Sequence, residues 1–216
     1  MKVISVNMTN SSGSCPSGLR TLTSPKRLCA MNINGGCSST FLDVHGVEYS
    51  RVCGKIIGYH KQSPDAFWAY YLNRAKTIDD NYVDGISLTH GQNPRKHVWT
   101  FAAALHEVTT PYSQSLCPCT NINNQATIPI PPYVGNDYFC DTASTQRYTH
   151  IFYPSDPLWD GQGCGPLNTC CSFNNPPWFM KQLPASTRDN IEMRLCADEP
   201  QSNEDIVLET LELYVQ

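Results

Sequence analysis

The chain ends in a stretch that alternates apolar and polar residues, Ile206-Val207-Leu208-Glu209-Thr210-Leu211-Glu212-Leu213-Tyr214-Val215. Successive side chains of a β-strand point to opposite faces of a sheet, so this pattern predicts a strand with one buried face. The residues predicted to face the core are Leu211, Leu213 and Val215, and those predicted to face outward are Thr210, Glu212 and Tyr214. Asn190–Cys196 alternates in the same way, and residues 197–205 are mostly polar. Together the two segments predict a terminal antiparallel hairpin.

Similar patterns upstream predict further strands, which cover Thr40–Val44, Val47–Tyr59, Tyr82–Thr89, His97–Leu105 and Trp178–Leu183. In the second of these, Cys53 is predicted to share a face with Lys55 and Ile57, and to tie the sheet to a loop through a disulfide. Both faces of the fourth are nearly apolar, which favours a place inside a sheet rather than at its edge.

These strands predict an all-β fold, an antiparallel β-sandwich or jelly roll with long disulfide-stapled loops and at most one or two short helices. The expected helix is Ser63–Leu72, because Ser63 can cap it and Pro64 suits the first helical position. Residues 1–14 are polar and are predicted to form a flexible N-terminal arm. Residues 15–216 are predicted to form a single disulfide-rich β domain.

Cysteine usage indicates an oxidising compartment. The eleven candidates for disulfide bonds are Cys15, Cys29, Cys37, Cys53, Cys117, Cys119, Cys140, Cys164, Cys170, Cys171 and Cys196. None forms the C-x-x-C spacing typical of zinc sites, so disulfides and a secreted protein are the expectation. Eleven is odd, so one thiol stays buried and free or bridges to another molecule. Cys15, beside the polar arm, is the candidate for a bridge.

The net charge and the local sequence motifs limit the kinds of binding partner that we expect. The net charge is −4 and the pI is about 5.8, which argues against nucleic acid binding. No apolar run has transmembrane length, and the first six residues turn polar too soon for a secretory signal, so a secreted form would have lost its signal. Asn7-Met8-Thr9 and Asn10-Ser11-Ser12 are sequons for N-glycosylation, which makes Asn7 and Asn10 possible modification sites.

Catalytic motifs are incomplete in this sequence. His106-Glu107-Val108-Thr109-Thr110 lacks the second histidine of a zinc protease helix. Asp80-Asn81-Tyr82-Val83-Asp84-Gly85 begins like a calcium loop but places Tyr82 at a ligand position. The sequence carries no nucleophile elbow, Walker loop or dinucleotide fingerprint. We therefore predict a protein that is not an enzyme, with no catalytic residues, metal site or cofactor.

The segment Asp156-Pro157-Leu158-Trp159-Asp160-Gly161-Gln162-Gly163-Cys164 is the best candidate for a ligand site. Asp156 and Asp160 flank Trp159, so two carboxylates and an indole could hold a calcium ion or a sugar. The alternative, which we favour, is a pair of turns within a structural loop cross-linked by cysteines. In that case Trp159 and Trp178 are mostly buried, and Cys164, Cys170 and Cys171 are oxidised. The aromatic cluster in 67–71 is likewise either core or a carbohydrate site.

Several motifs together resemble a family of cysteine-rich, uncharacterised secreted proteins of sponges and other marine invertebrates. They are Cys15–Leu19, Tyr49–Tyr59, Val83–Thr89, Pro94–Ala103, Asp156–Cys164, Cys170-Cys171 and Glu204–Val215. The resemblance spans nearly all of the chain from Cys15 onward. It implies an association with glass-sponge spicules, that is, with silica and its organic axial filament, and it supplies no catalytic residues.

The expected function is therefore that of a non-catalytic extracellular structural protein that self-assembles, as the organic scaffold of a silica-mineralised skeleton. Its expected partner is itself, in a homo-oligomer, filament or lattice, with silica mineral or glycan as further ligands. Nucleic acid and membrane are not expected partners. The alternative is a lectin-like carbohydrate-binding β-sandwich. Either protein is expected in the extracellular matrix or a mineralised skeleton.

Overall fold

The computed structural model describes residues 1–23, 26–33, 36–61, 77–79, 85–105, 131–135, 137–143, 178–197 and 205–216. Across these residues the secondary structure is β-strand, turn and loop, with no helix. The predicted helix Ser63–Leu72 lies outside them. In the part of the chain described, no helix has the length and apolar character needed to cross a membrane.

The described strands are β1 (Lys2–Asn7), β2 (Arg20–Leu22), β3 (Leu28–Ala30), β4 (Gly36–Leu42), β5 (Tyr49–Lys61), β6 (Gly85–His90), β7 (Lys96–Leu105), β8 (Tyr138–Ala143), β9 (Phe179–Thr187), β10 (Ile191–Ala197) and β11 (Asp205–Val215). They form two sheets. The six-stranded sheet has the order β2-β3-β11-β5-β9, with β1 also paired to β11. The five-stranded sheet has the order β4-β10-β6-β7-β8. All pairs are antiparallel except β7 with β8, which is parallel.

The two sheets pack face to face, which confirms the all-β sandwich. Leu211, Leu213 and Val215 of β11 are buried in the core that the sheets share, as the alternating pattern predicted. Between the sheets the rings of Trp99 and Phe179 stack, with centroids 4.3 Å apart and an angle of 8° between the planes. A stacked aromatic pair of this kind contributes about 1 kcal/mol beyond the area it buries.

The predicted terminal hairpin is wrong. β10 lies in the five-stranded sheet between β4 and β6, whereas β11 lies in the six-stranded sheet between β5 and the pair β1 and β3. Alternation identifies which face of a strand is buried but not which strand lies beside it. β10 is also buried along its whole length, including Glu192 and Arg194, so its polar residues do not face solvent as a half-exposed strand would require.

The N-terminal segment differs from the flexible arm predicted for residues 1–14. Lys2–Asn7 form β1, which pairs antiparallel with β11, and both Val6 and Met8 are buried. Their apolar side chains add to the core, and pairing supplies backbone hydrogen bonds that a free arm would lack. Residues 1–7 are therefore part of the six-stranded sheet.

Two disulfides join the described residues. Cys15 pairs with Cys29, so the prediction that Cys15 bridges to another molecule is wrong. That disulfide ties the loop at residues 15–18 to β3, and the loop lies along β4, where Thr40 Oγ1 donates to the Ser17 carbonyl at 2.8 Å. The loop thus covers an edge strand, a common way to prevent unwanted pairing. Cys37 pairs with Cys196, directly across the ladder between β4 and β10.

Gly54 of β5 generates a stability prediction. A Cβ atom at this position would lie 2.5 Å from the Glu212 carbonyl oxygen and 2.8 Å from Cζ of Phe179. We expect Gly54→Ala to push the Phe179 ring off Trp99 and to lower the free energy of unfolding by roughly 1–3 kcal/mol. Urea denaturation followed by tryptophan fluorescence measures this loss. In a Phe179→Leu background the same substitution should cost less, because part of the clash is gone. An unchanged urea midpoint for Gly54→Ala would contradict the packing described.

Candidate functional site

One end of the outer face of the six-stranded sheet carries exposed side chains, whereas near β3 the outward residues Leu28, Ala30 and Val207 are buried. On β5 the buried residues Val52, Gly54 and Ile56 alternate with half-buried residues that point away from the core. The outward residues of β5 and β11 are Arg51, Cys53, Lys55, Ile57, Thr210, Glu212 and Tyr214. Side chains alternate along each strand, so when one side of the strand is buried in the core the side chains of the other side point outward and form this face.

A patch of large, exposed side chains lies where β5, β9 and β11 meet. Trp178 is 55% exposed and Met180 is 66% exposed, values far above those of a core residue. The Trp178 and Tyr214 rings are 5.9 Å apart at 48°, and Cys53 pairs in register with both Tyr214 and Met180. We call these four residues, Cys53, Trp178, Met180 and Tyr214, the aromatic patch.

Cations surround the aromatic patch. Lys2 Nζ lies 5.9 Å from the centroid of the Tyr214 ring, within the range of a cation–π contact. Arg51 donates to the side-chain oxygens of Gln182 at 3.2 Å and Gln216 at 3.1 Å, which holds its guanidinium beside the patch. Lys55 is the third cation. The patch therefore combines exposed aromatic surface with positive charge.

Glu212 is the carboxylate next to the aromatic patch, and it is already engaged. The Tyr214 hydroxyl donates to Glu212 Oε2 at 3.0 Å, and this hydrogen bond raises the pKa of Tyr214. With Lys2, Arg51 and Lys55 against Glu212, the charged residues beside the patch sum to 3 − 1 = +2. The whole chain has a charge of −4, so the remaining residues sum to −4 − 2 = −6. The surroundings of the aromatic patch thus have the opposite sign to the net charge of the remaining residues.

Cys53 is a free, partly buried thiol, and it is the free cysteine of the described residues. The prediction that it ties the sheet to a loop is therefore wrong, because its side chain lies on the outer face beside Tyr214 and Met180. The remaining cysteines are Cys117, Cys119, Cys140, Cys164, Cys170 and Cys171, an even number. With Cys53 left over, those six can pair among themselves, which accounts for the odd total.

The ligand site proposed from the sequence is not described by the structure. Asp156, Trp159 and Asp160 lie outside the described residues, as do Cys117, Cys119, Cys164, Cys170 and Cys171 and the aromatic cluster in 67–71; of Cys140 only the backbone is described. Trp178 is described, and the prediction that it is mostly buried is wrong. Phe179 takes the inward position on β9, so its neighbours Trp178 and Met180 point outward.

A cluster of polar side chains also lies on the outer face of the five-stranded sheet, but it is buried beneath other residues. Glu192 is buried and accepts hydrogen bonds from Arg95 Nε at 2.6 Å and Ser39 Oγ at 2.7 Å. Burial raises the pKa of the Glu192 carboxyl, but these hydrogen bonds and the positive charges of Arg95 and Arg194 together outweigh it and hold that pKa below its usual value. Arg194 Nη1 donates to the Ile78 carbonyl at 2.8 Å, so the cluster anchors residues 77–79 on the sheet.

The described residues give little support for a metal site or a catalytic His–Asp dyad. No group of three or more His, Cys, Asp and Glu side chains there could hold a metal ion. His90 Nδ1 lies 3.0 Å from Asp189 Oδ2, and the hydrogen bond lowers the pKa of Asp189. The Asp189 carbonyl also accepts from the Tyr49 hydroxyl at 2.8 Å. This pair holds the β9–β10 turn against the ends of β5 and β6, which is a structural role.

Comparison with known proteins finds no family model and no curated protein that matches the chain. The residues of the aromatic patch, not a known relative, are therefore the basis for a functional proposal.

Cys53 yields a direct prediction. Alkylating the native protein without reductant and then mapping its disulfides by mass spectrometry should label Cys53, since its thiol has no disulfide partner and lies on an open face. The same map should contain Cys15–Cys29 and Cys37–Cys196. Finding Cys53 in an intrachain disulfide with one of the six other cysteines would contradict the conclusion that its thiol is free on the outer face of the six-stranded sheet.

His97 predicts how stability depends on pH. Burial lowers the pKa of His97 to about 4; Asp137 opposes this shift and Lys181 reinforces it. In the unfolded chain its pKa is about 6.5, so below that pH the unfolded state binds a proton that the native state does not. We expect the free energy of unfolding to fall by about 2 kcal/mol between pH 7 and pH 5.

Urea titrations at both pH values measure this fall. The substitution His97→Gln should remove most of the fall in the free energy of unfolding, because an amide does not titrate. The stability of this variant at pH 7 need not equal that of the native protein. The same dependence on pH in the native protein and in His97→Gln would rule out His97 as its source.

Proposed function

We propose that the protein is a non-catalytic, extracellular structural protein that assembles with copies of itself, and that the aromatic patch is the surface through which it does so. The observation that carries this proposal is the exposure of Trp178 and Met180 beside Tyr214 on an ordered sheet face. Tryptophan, tyrosine and methionine are enriched at protein interfaces, and aromatic anchors supply much of their binding energy.

The charge pattern favours contact between two different surfaces of the same protein. The charged residues beside the aromatic patch are net positive whereas the remaining residues are net negative, so two patches would repel each other. An outer face can instead dock on an acidic surface of the next copy. Such a head-to-tail contact generates a closed ring or an open filament. A filament or lattice of this kind suits a structural protein.

The disulfide bonds indicate the cellular compartment in which the protein resides. Two disulfides within the described residues indicate an oxidising environment, and the net charge of −4 does not favour nucleic acid. Secretion into an extracellular matrix is part of the proposal. The resemblance to sponge proteins adds the scaffold of a silica-mineralised skeleton, where a cationic face could contact the acidic silica surface.

A carbohydrate-binding module is the second candidate, and the Trp178–Tyr214 pair favours it. Aromatic rings on an open sheet can stack on sugar rings, and the neighbouring cations would select acidic sugars. In this case Trp178→Ala should abolish retention of the protein on a column of an acidic polysaccharide. Unchanged retention of the variant would remove this alternative. The site at Asp156, Trp159 and Asp160 stays a prediction.

Sedimentation velocity over a range of protein concentrations tests self-assembly. We expect the native protein to form larger species as its concentration rises, and the double variant Trp178→Ser with Met180→Ser to remain monomeric. Added salt should weaken assembly of the native protein, because the contact pairs opposite charges.

Phe41→Ser is the matched control. Phe41 is 51% exposed but lies on β4 of the other sheet, so its loss removes a comparable apolar surface away from the patch. This variant should assemble like the native protein. A native protein that stays monomeric at high concentration, or a Phe41→Ser variant as impaired as the double variant, would refute the proposal.

A further inference from the structure

We infer that Asn7 carries an N-linked oligosaccharide and that this glycan marks a region of the outer face that stays free of protein contacts. The inference rests on the extracellular location in the proposed function, but not on the aromatic patch. Its basis is a sequon whose acceptor and hydroxyl residues are exposed and hydrogen-bonded to each other.

The geometry of the first sequon is compact. The Thr9 hydroxyl donates to Asn7 Oδ1 at 2.6 Å, and the Thr9 backbone N–H donates to the same oxygen at 3.1 Å. Both side chains are exposed, while Met8 between them is buried in the core. Burial of Met8 anchors the segment, and the turn that follows β1 places Thr9 in solvent beside Asn7.

The chemistry of the modification uses the other atom of the Asn7 carboxamide. Because Oδ1 accepts two hydrogen bonds, the described residues leave Nδ2 without a hydrogen-bond acceptor. In the transfer, Nδ2 forms a bond to the anomeric carbon of an oligosaccharide diphosphate donor while the bond from that carbon to the diphosphate oxygen breaks. Nδ2 loses one proton to a base of the transferase, and the diphosphate departs.

The second sequon is less favourable. Ser12 Oγ donates to Asn10 Oδ1 at 3.0 Å, a longer contact than that of Thr9 with Asn7. Arg27 Nη2 donates to the Gly13 carbonyl and Arg27 Nη1 to the Ser11 carbonyl, which fixes this turn against the protein. Asn7 is therefore the site to which we assign the glycan.

The position of Asn7 relates the glycan to the aromatic patch. Asn7 pairs in register with Thr210, and Thr210 with Ile57, whereas Tyr214 pairs with Cys53 and Cys53 with Met180. Asn7 and Met180 thus lie roughly 20 Å apart by strand spacing and rise, with β11 and β5 between their strands. A glycan on Asn7 is therefore attached to β1, away from Trp178 and Met180.

Secretion of the full chain from eukaryotic cells behind a cleavable signal peptide tests this assignment. Peptide mass spectrometry after treatment with an N-glycosidase in heavy-oxygen water reports occupancy at each asparagine. We expect Asn7 to be occupied in the native sequence, in Thr9→Ser and in Ser12→Ala. We expect no occupancy of Asn7 in Thr9→Ala, where the hydroxyl is gone.

An unoccupied Asn7 in the secreted native protein overturns the inference, whether or not Asn10 is modified. Sedimentation of the same samples is a separate readout. We expect native protein and Thr9→Ala to assemble equally, because the glycan lies away from the aromatic patch. Assembly that occurs only in Thr9→Ala would contradict the position assigned to the glycan. Occupancy without assembly in any sample would contradict the proposed function and leave the modification site intact.

Discussion

The stack of Phe179 on Trp99 is the contact on which the rest of the structure depends. It joins β9 of the six-stranded sheet to β7 of the five-stranded sheet at 4.3 Å, and Gly54 leaves space for the Phe179 ring. Because side chains alternate along a strand, an inward Phe179 forces Trp178 and Met180 outward. The same interaction therefore closes the core and creates the exposed aromatic patch.

The outer faces of the two sheets differ in how far other residues cover them, and this difference favours the six-stranded sheet as the contact surface. On the five-stranded sheet the outward residues Ser87, Thr89 and Thr100 are fully buried, and Glu192 and Arg194 lie beneath residues 77–79. That face is covered, and hydrogen bonds and ion pairs hold its polar side chains in place. The outer face of the six-stranded sheet carries the exposed Trp178 and Met180 with cations beside them at one end, while Leu28, Ala30 and Val207 are buried at the other. Contact with another molecule is thus more readily made through the six-stranded sheet.

Sequence patterns predicted the fold class and the faces of β11, because a period of two records which side of a strand is buried. They could not predict that β10 and β11 lie in different sheets, or that Cys37 faces Cys196, because partners distant in sequence are chosen by the whole fold. The aromatic patch escaped prediction for a related reason. Trp178 and Phe179 are adjacent and both apolar, so composition alone does not decide which one enters the core.

The most direct test of the account is oxidative footprinting of Met180 as the protein concentration rises. Met180 is 66% exposed in the single chain and lies in the centre of the proposed contact, and its thioether is readily converted to a sulfoxide. The account predicts that oxidation of Met180 slows severalfold on assembly while oxidation of exposed Phe41, on β4 of the other sheet, does not. Equal oxidation rates for Met180 in the dilute and the assembled protein would contradict it.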